Sequence, residues 1–122
     1  MRYVTIASTD ISQTAIEYIT QSLLKGKKLI PSCKAFVKKF SAIENPMFIG
    51  QVDYTAQELA TAVLMDKAHQ AVKNAQRMKT GMGFMALKGT AQQFGLEESE
   101  LRSAIHKVTG GENINGILNN DQ

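Results

Sequence analysis

Residues 90–108 read TAQQFGLEESELRSAIHKV, and the architecture of the C-terminal third of the chain follows from them. Ala91 is small where two helices must approach closely. Phe94 ends a short helical run, and Gly95, able to adopt positive φ, stops it cleanly. Leu96 points back into a core. Glu97, Glu98, Ser99 and Glu100 then open a second helix, and their carboxylates suit the positive end of its dipole. Leu101, Ala104, Ile105 and Val108 recur at three- and four-residue spacing and form its buried face. Two short helices joined by a tight turn through glycine make a helix-turn-helix layout.

The segment resembles the helix-turn-helix of phage Cro-type repressors, which read T-A-x-x-[LF]-G-[VL] and then a second helix ending A-I-H. The matching residues are Thr90, Ala91, Phe94, Gly95, Leu96, Ala104, Ile105 and His106, and the resemblance spans about nineteen residues. Gly95, Leu96, Ser99, Glu100, Leu101, Ala104 and Ile105 also resemble the second half of ribbon-helix-helix proteins, with their G-L-x-x-S-E-L-x-x-A-I pattern. Both resemblances imply binding to duplex DNA. The Cro-like one implies that Glu98, Ser99, Arg102 and Ser103 face a major groove, with Lys107 further along the helix as another contact. Arg102 would be the principal base or phosphate contact, because a guanidinium pairs bidentately with guanine or phosphate. Glu97, Glu98 and Glu100 depart from that pattern, since carboxylates repel phosphates.

With 122 residues and 43% hydrophobic content, the chain suffices for one small domain with a core that needs no metal or disulfide staple. The lone cysteine, Cys33, excludes an intramolecular disulfide and fits a reducing compartment. No apolar run approaches the ~18 residues of a membrane span, and MRYVTIASTD lacks the core of a signal peptide. A cytoplasmic protein with no membrane association is expected. The net charge is +3, unevenly spread. Residues 1–95 carry 12 Lys and Arg against 6 Asp and Glu, whereas residues 96–122 carry 2 against 5. Lys25, Lys27, Lys28, Lys34, Lys38 and Lys39 fall in a span without a single carboxylate, which suits either a polyanion or a plain solvated surface.

Residues 2–8, RYVTIAS, alternate and are rich in β-branched side chains, which predicts one short half-buried strand, with Thr9 or Asp10 capping the helix that follows. Ile11, Ala15, Ile16, Ile19 and Leu23 predict an amphipathic helix ended by Gly26. Pro31 and Ser32 open a second helix to about Ile43, burying Ala35, Phe36, Phe40 and Ile43, and Asn45 and Pro46 close it. Strand, helix, turn, helix is the ribbon-helix-helix order. That resemblance implies that Tyr3 and Thr5 face bases and that the lysines meet phosphates; the alternative is a strand pairing within its own domain, with 47–52 as one candidate. Thr55-x-x-Glu58 reads as a capping box opening a helix to about Lys79, roughly 25 residues or ~37 Å. Its alanine-rich stripe, Ala56, Leu59, Ala60, Val63, Leu64, Ala71, Ala75 and Met78, suggests close packing against another helix, including that of a second copy. Gly81 and Gly83 mark a hinge or a close packing site. Gly110 and Gly111 end the last helix, and 112–119 add at most one more turn.

Catalytic signatures are lacking. His69 and His106 have no Cys or second His at metal-ligand spacing, and no paired-carboxylate, Walker or nucleophile-elbow motif occurs. Cys33 beside Lys34 near a helix start is either a thiol of lowered pKa or a small core residue. The expectation is a non-enzyme without cofactor or metal. The fold expected is mainly α: a single domain of strand–helix–helix (1–46), one long central helix (53–80) and a helix-turn-helix-like hairpin (84–118). The function expected is that of a small DNA-binding transcriptional regulator acting as a homodimer. The contacts would be Tyr3, Thr5, Lys25, Lys27, Lys28, Lys34, Ser99, Arg102, Ser103 and Lys107. A helical module binding a protein partner, and a non-specific nucleic-acid-binding accessory protein, are the alternatives.

Overall fold

A computed structural model of the protein describes residues 3–6, 9–40 and 55–118. Among these the chain is mainly helical. Its internal contacts divide it into two compact units, residues 1–63 and 64–122.

In the first unit, β1 (Tyr3–Ile6) and β2 (Thr9–Ser12) pair antiparallel, with Tyr3 opposite Ser12 and Thr5 opposite Asp10. The single strand expected over 2–8 is not seen in that form. Thr9 and Asp10, expected as helix caps, belong to β2 instead. Their backbone groups are satisfied by a ladder, which competes with the capping role that short polar side chains otherwise favour. Helix α1 (Gln13–Leu24) therefore starts after the hairpin and buries Ala15, Ile16, Ile19 and Leu23. It ends at Gly26, φ +89°, where Gly26 N–H donates to Leu23 O and Lys27 N–H to Ser22 O. These two bonds satisfy carbonyls that the last turn leaves open.

Helix α2 (Leu29–Phe40) begins two residues before Pro31, whose missing N–H costs nothing in a first turn. Ser32 does not cap it: its hydroxyl donates back to Lys28 O at 2.6 Å. With Leu29 setting the register, the buried face runs through Ser32, Cys33 and Phe36, and Ala35, expected inside, is exposed. Tyr18 of α1 meets Phe36 and Phe40 edge-on, at centroid distances of 5.0 and 6.1 Å. The expected end of this helix near Ile43, its stop at Asn45 and Pro46, and the segment 47–52 lie outside the described residues.

Helix α3 (Ala56–Ala75) opens with the expected capping box. Thr55 N–H donates to Glu58 Oε1 at 2.8 Å, and Glu58 N–H to Thr55 Oγ1 at 3.1 Å. The division between the units falls within this helix. Leu59, Ala60, Ala62 and Val63 are buried in its first part, and Lys67, Ala68, Ala71 and Ala75 in its second. The helix stops at Ala75, short of the expected Lys79. Beyond it the backbone tightens, with Arg77 N–H donating to Asn74 O and Met78 N–H to Ala75 O, and the Asn115 side-chain amide, from a distant part of the chain, donates to Ala75 O (2.8 Å) and Met78 O (3.3 Å).

The second unit continues with α4 (Phe84–Phe94), α5 (Glu98–Thr109) and a 3-10 turn, Ile114–Gly116. The glycine-rich segment before α4 is a close packing site. Gly83 N–H donates to Asn115 O at 2.6 Å, and a Cβ at Gly83 would lie 2.6 Å from that oxygen and 2.8 Å from Ile117 N. Ile117 is fully buried. Gly110, φ +66°, ends α5 as expected.

Cys33 is a core residue, wholly buried. Burial disfavours the thiolate and pushes its pKa up to about 12. The folded chain therefore keeps a proton that the unfolded chain releases from about pH 8.5 upward. Stability from this group is intact below that pH and falls above it, with a limiting slope of about 1.4 kcal/mol per pH unit. Urea midpoints at pH 8 and pH 10 should separate more for the wild type than for Cys33→Ala, and equal separation would show that the thiol is not shielded.

Candidate nucleic-acid interface

The α4–α5 hairpin is built as its residue pattern requires. Ala86, Leu87, Thr90, Ala91 and Phe94 are the buried positions of α4, and Leu101, Ala104 and Ile105 those of α5. Gly95 takes φ +62°. Its N–H donates to Gln92 O and Leu96 N–H donates to Ala91 O at 2.8 Å, the same closure that ends α1 at Gly26. Leu96 is thereby turned inward, and α5 starts three residues after Gly95. Val108, expected on the buried face, is only half-buried in the last turn of α5.

Opposite that core, α5 exposes Glu98, Ser99, Glu100, Ser103, His106 and Lys107. Arg102 shares this helix but is half-buried, and its Nε is shielded from solvent without a hydrogen-bond partner. A buried donor left unmet costs free energy, which an acceptor brought by a partner would recover if the side chain extended to it. Of the carboxylates at the start of α5, Glu98 Oε1 lies 3.6 Å from Lys88 Nζ of α4. Both side chains are about half exposed, so the pair adds little stability but offsets one negative charge on that face.

A buried cation lies behind the hairpin. Lys67 of α3 is only 4% exposed, a burial that its charge alone does not lead one to expect. Its Nζ is 3.0 Å from Asp66 Oδ2 and 4.6 Å from the centroid of the Phe94 ring, at the end of α4. The legible signal was its place between Val63, Ala68 and Ala71 on the apolar stripe, where a lysine is buried only if paired.

In the first unit, Lys25, Lys27, Lys28, Lys34, Lys38 and Lys39 are all exposed. The first three lie in the α1–α2 connection and the others on α2. Tyr3 and Thr5 lie on β1, paired with β2 of the same chain. Each unit thus carries part of the expected contact set: the lysines and the hairpin in one, Ser99, Arg102, Ser103 and Lys107 in the other. The alanine stripe of α3, which suggested packing against another chain, is largely covered by the protein itself: Leu59, Ala60, Val63, Ala71 and Ala75 are at most 1% exposed.

Among the described residues no three His, Cys, Asp or Glu side chains form a metal-holding group. No helix among them is long and apolar enough to cross a membrane. The sequence matches no family model, and no significant match is found among curated proteins or solved structures.

Proposed function

We propose that the protein is a small DNA-binding transcriptional regulator that reads duplex DNA with the outer face of α5. The observation that carries this reading is the α4–Gly95–α5 hairpin. Its buried face is complete, and Ser99, Arg102, Ser103 and Lys107 lie on the helix that remains open to a partner. In this role Arg102 reads a base edge, Ser99 and Ser103 accept or donate at neighbouring bases or phosphates, and Lys107 neutralises backbone charge. Lys25, Lys27, Lys28 and Lys34 add phosphate contacts, and Tyr3 and Thr5 belong to the same contact set. Two copies bind together, as paired half-sites require. Their contact uses a surface other than the buried alanine stripe.

Fluorescence anisotropy across a salt titration tests the reading, with random duplex and with DNA flanking the protein's own gene. Arg102→Ala should lower the preference for the flanking DNA by about tenfold or more, corresponding to ~1–3 kcal/mol of base discrimination. Binding without preference, weakened equally on all duplexes by lysine substitution, would instead make this a non-specific accessory protein. The acid-free lysine cluster of the first unit favours that second reading.

A further inference from the structure

Leu24, 48% exposed, is the last residue of α1, and Ile30, 37% exposed, is the second of α2. They bracket Lys25, Lys27 and Lys28, all exposed, and exposed Pro31 follows. From Tyr18 to Ile43 the sequence contains no carboxylate. Lys34 and Lys38 follow Ile30 at four-residue steps, so the three lie along one stripe of α2. Two half-exposed aliphatic residues therefore flank a cationic tip between α1 and α2, and the positive charge continues from it along α2.

We propose that this tip is a DNA-bending wedge, an inference that rests on the duplex-binding reading above. Lys25, Lys27 and Lys28 hold phosphates flanking the minor groove, and Leu24 and Ile30 press into a base step and partly unstack it. Lysine alone suffices for phosphate, but an exposed aliphatic side chain carried to a duplex finds apolar surface mainly at base steps and thymine methyls. Lys34 and Lys38 then follow one strand away from the wedge. The linear charge favours a nucleic-acid backbone over a bilayer, because surface anchoring scales with apolar area and two half-exposed aliphatics offer little of it.

End-to-end energy transfer in a doubly labelled random duplex containing TA and CA steps tests the proposal at low salt. The wild type should shorten the duplex on binding. Leu24→Ser with Ile30→Ser should bind within about threefold of wild type, because the phosphate contacts remain, yet leave the duplex straight. Replacing Lys25, Lys27 and Lys28 by Gln should weaken binding by about tenfold or more and flatten the salt dependence. Both aliphatics are exposed, so circular dichroism should show an unchanged fold in the double variant. Binding without shortening, or equal shortening by the double variant, overturns the wedge and leaves the duplex reading standing. Absence of duplex binding overturns both. Binding to phosphatidylserine vesicles that depends on Leu24 and Ile30, with no duplex binding, assigns the tip to lipid and overturns the wedge.

Discussion

Gly83→Ala lowers the stability of the protein by about 3 kcal/mol, the upper part of the range for forcing atoms into a filled site. The added Cβ would stand 2.6 Å from Asn115 O and 2.8 Å from Ile117 N. Both are backbone atoms, so no side-chain rotation relieves the clash. The turn before α4 and the segment around Asn115 must move apart. That movement also weakens the Gly83 N–H to Asn115 O bond and the Asn115 amide bonds to Ala75 O and Met78 O. Gly89→Ala is the matched control. Gly89 lies inside α4, a Cβ there meets nothing within 4 Å, and the position is exposed. Alanine restricts the unfolded chain more than glycine does, so this variant should gain about 0.5–1 kcal/mol. Urea denaturation followed by circular dichroism reads both. Equal effects of the two substitutions would show that the close approach at Gly83 does not hold the second unit together.

Removing the carboxylate at position 66 is the second large effect. Lys67 is almost fully buried, and Asp66 is its ion-pair partner. Asp66→Ala leaves the ammonium with only the Phe94 ring, 4.6 Å away. Losing one member of a buried pair costs about 3–5 kcal/mol, and the 28% exposure of the Asp66 side chain reduces this to about 2 kcal/mol. Lys67→Met behaves differently. It removes the charge with its desolvation cost and leaves an unbranched apolar chain against Phe94, so stability should stay within about 1 kcal/mol of wild type or rise. Asp66→Ala in the Lys67→Met background should then be nearly silent. A Lys67→Met variant as unstable as Asp66→Ala would show that the ammonium contributes net stability where it is. The ring at stake terminates α4 next to Gly95, so the same pair of variants reports how firmly the hairpin is seated.

The residues that could be read in advance are those whose environment is local. Gly26, Gly95 and Gly110 end helices because a positive φ is needed within one turn of the last apolar residue. Thr55 and Glu58 form a capping box because the two partners lie three residues apart. The apolar spacing of α1 and α5 marks most of their buried faces for the same reason. What could not be read depends on partners far along the chain. Helical spacing continues past Ala75 to Met78, whereas the chain there tightens into turns whose carbonyls also meet the Asn115 amide, arriving from 40 residues away. Thr9 and Asp10 have the side chains of helix caps, but pairing with Ile6 and Thr5 claims their backbone for a hairpin. Ala35 was placed inside by counting from Pro31, whereas α2 counts from Leu29. In the candidate interface, Ser99, Ser103 and Lys107 are exposed as the pattern implies, and Arg102 is drawn partly inward, which spacing alone does not encode. The burial of Lys67 is completed by Phe94, 27 positions further on.

The Asn115 latch has a consequence for the order in which the second unit assembles. The carbonyl end of α3 and the turn at Gly83 are both completed by residues 115–117, so their closure is a high-contact-order step: the chain through α4 and α5 must be threaded back before it. During synthesis, α3, α4 and α5 can form as helices while the Asn115 bonds to the end of α3 are still unmade. The carbonyls at the end of α3 therefore wait for their Asn115 partner through the translation of both α4 and α5.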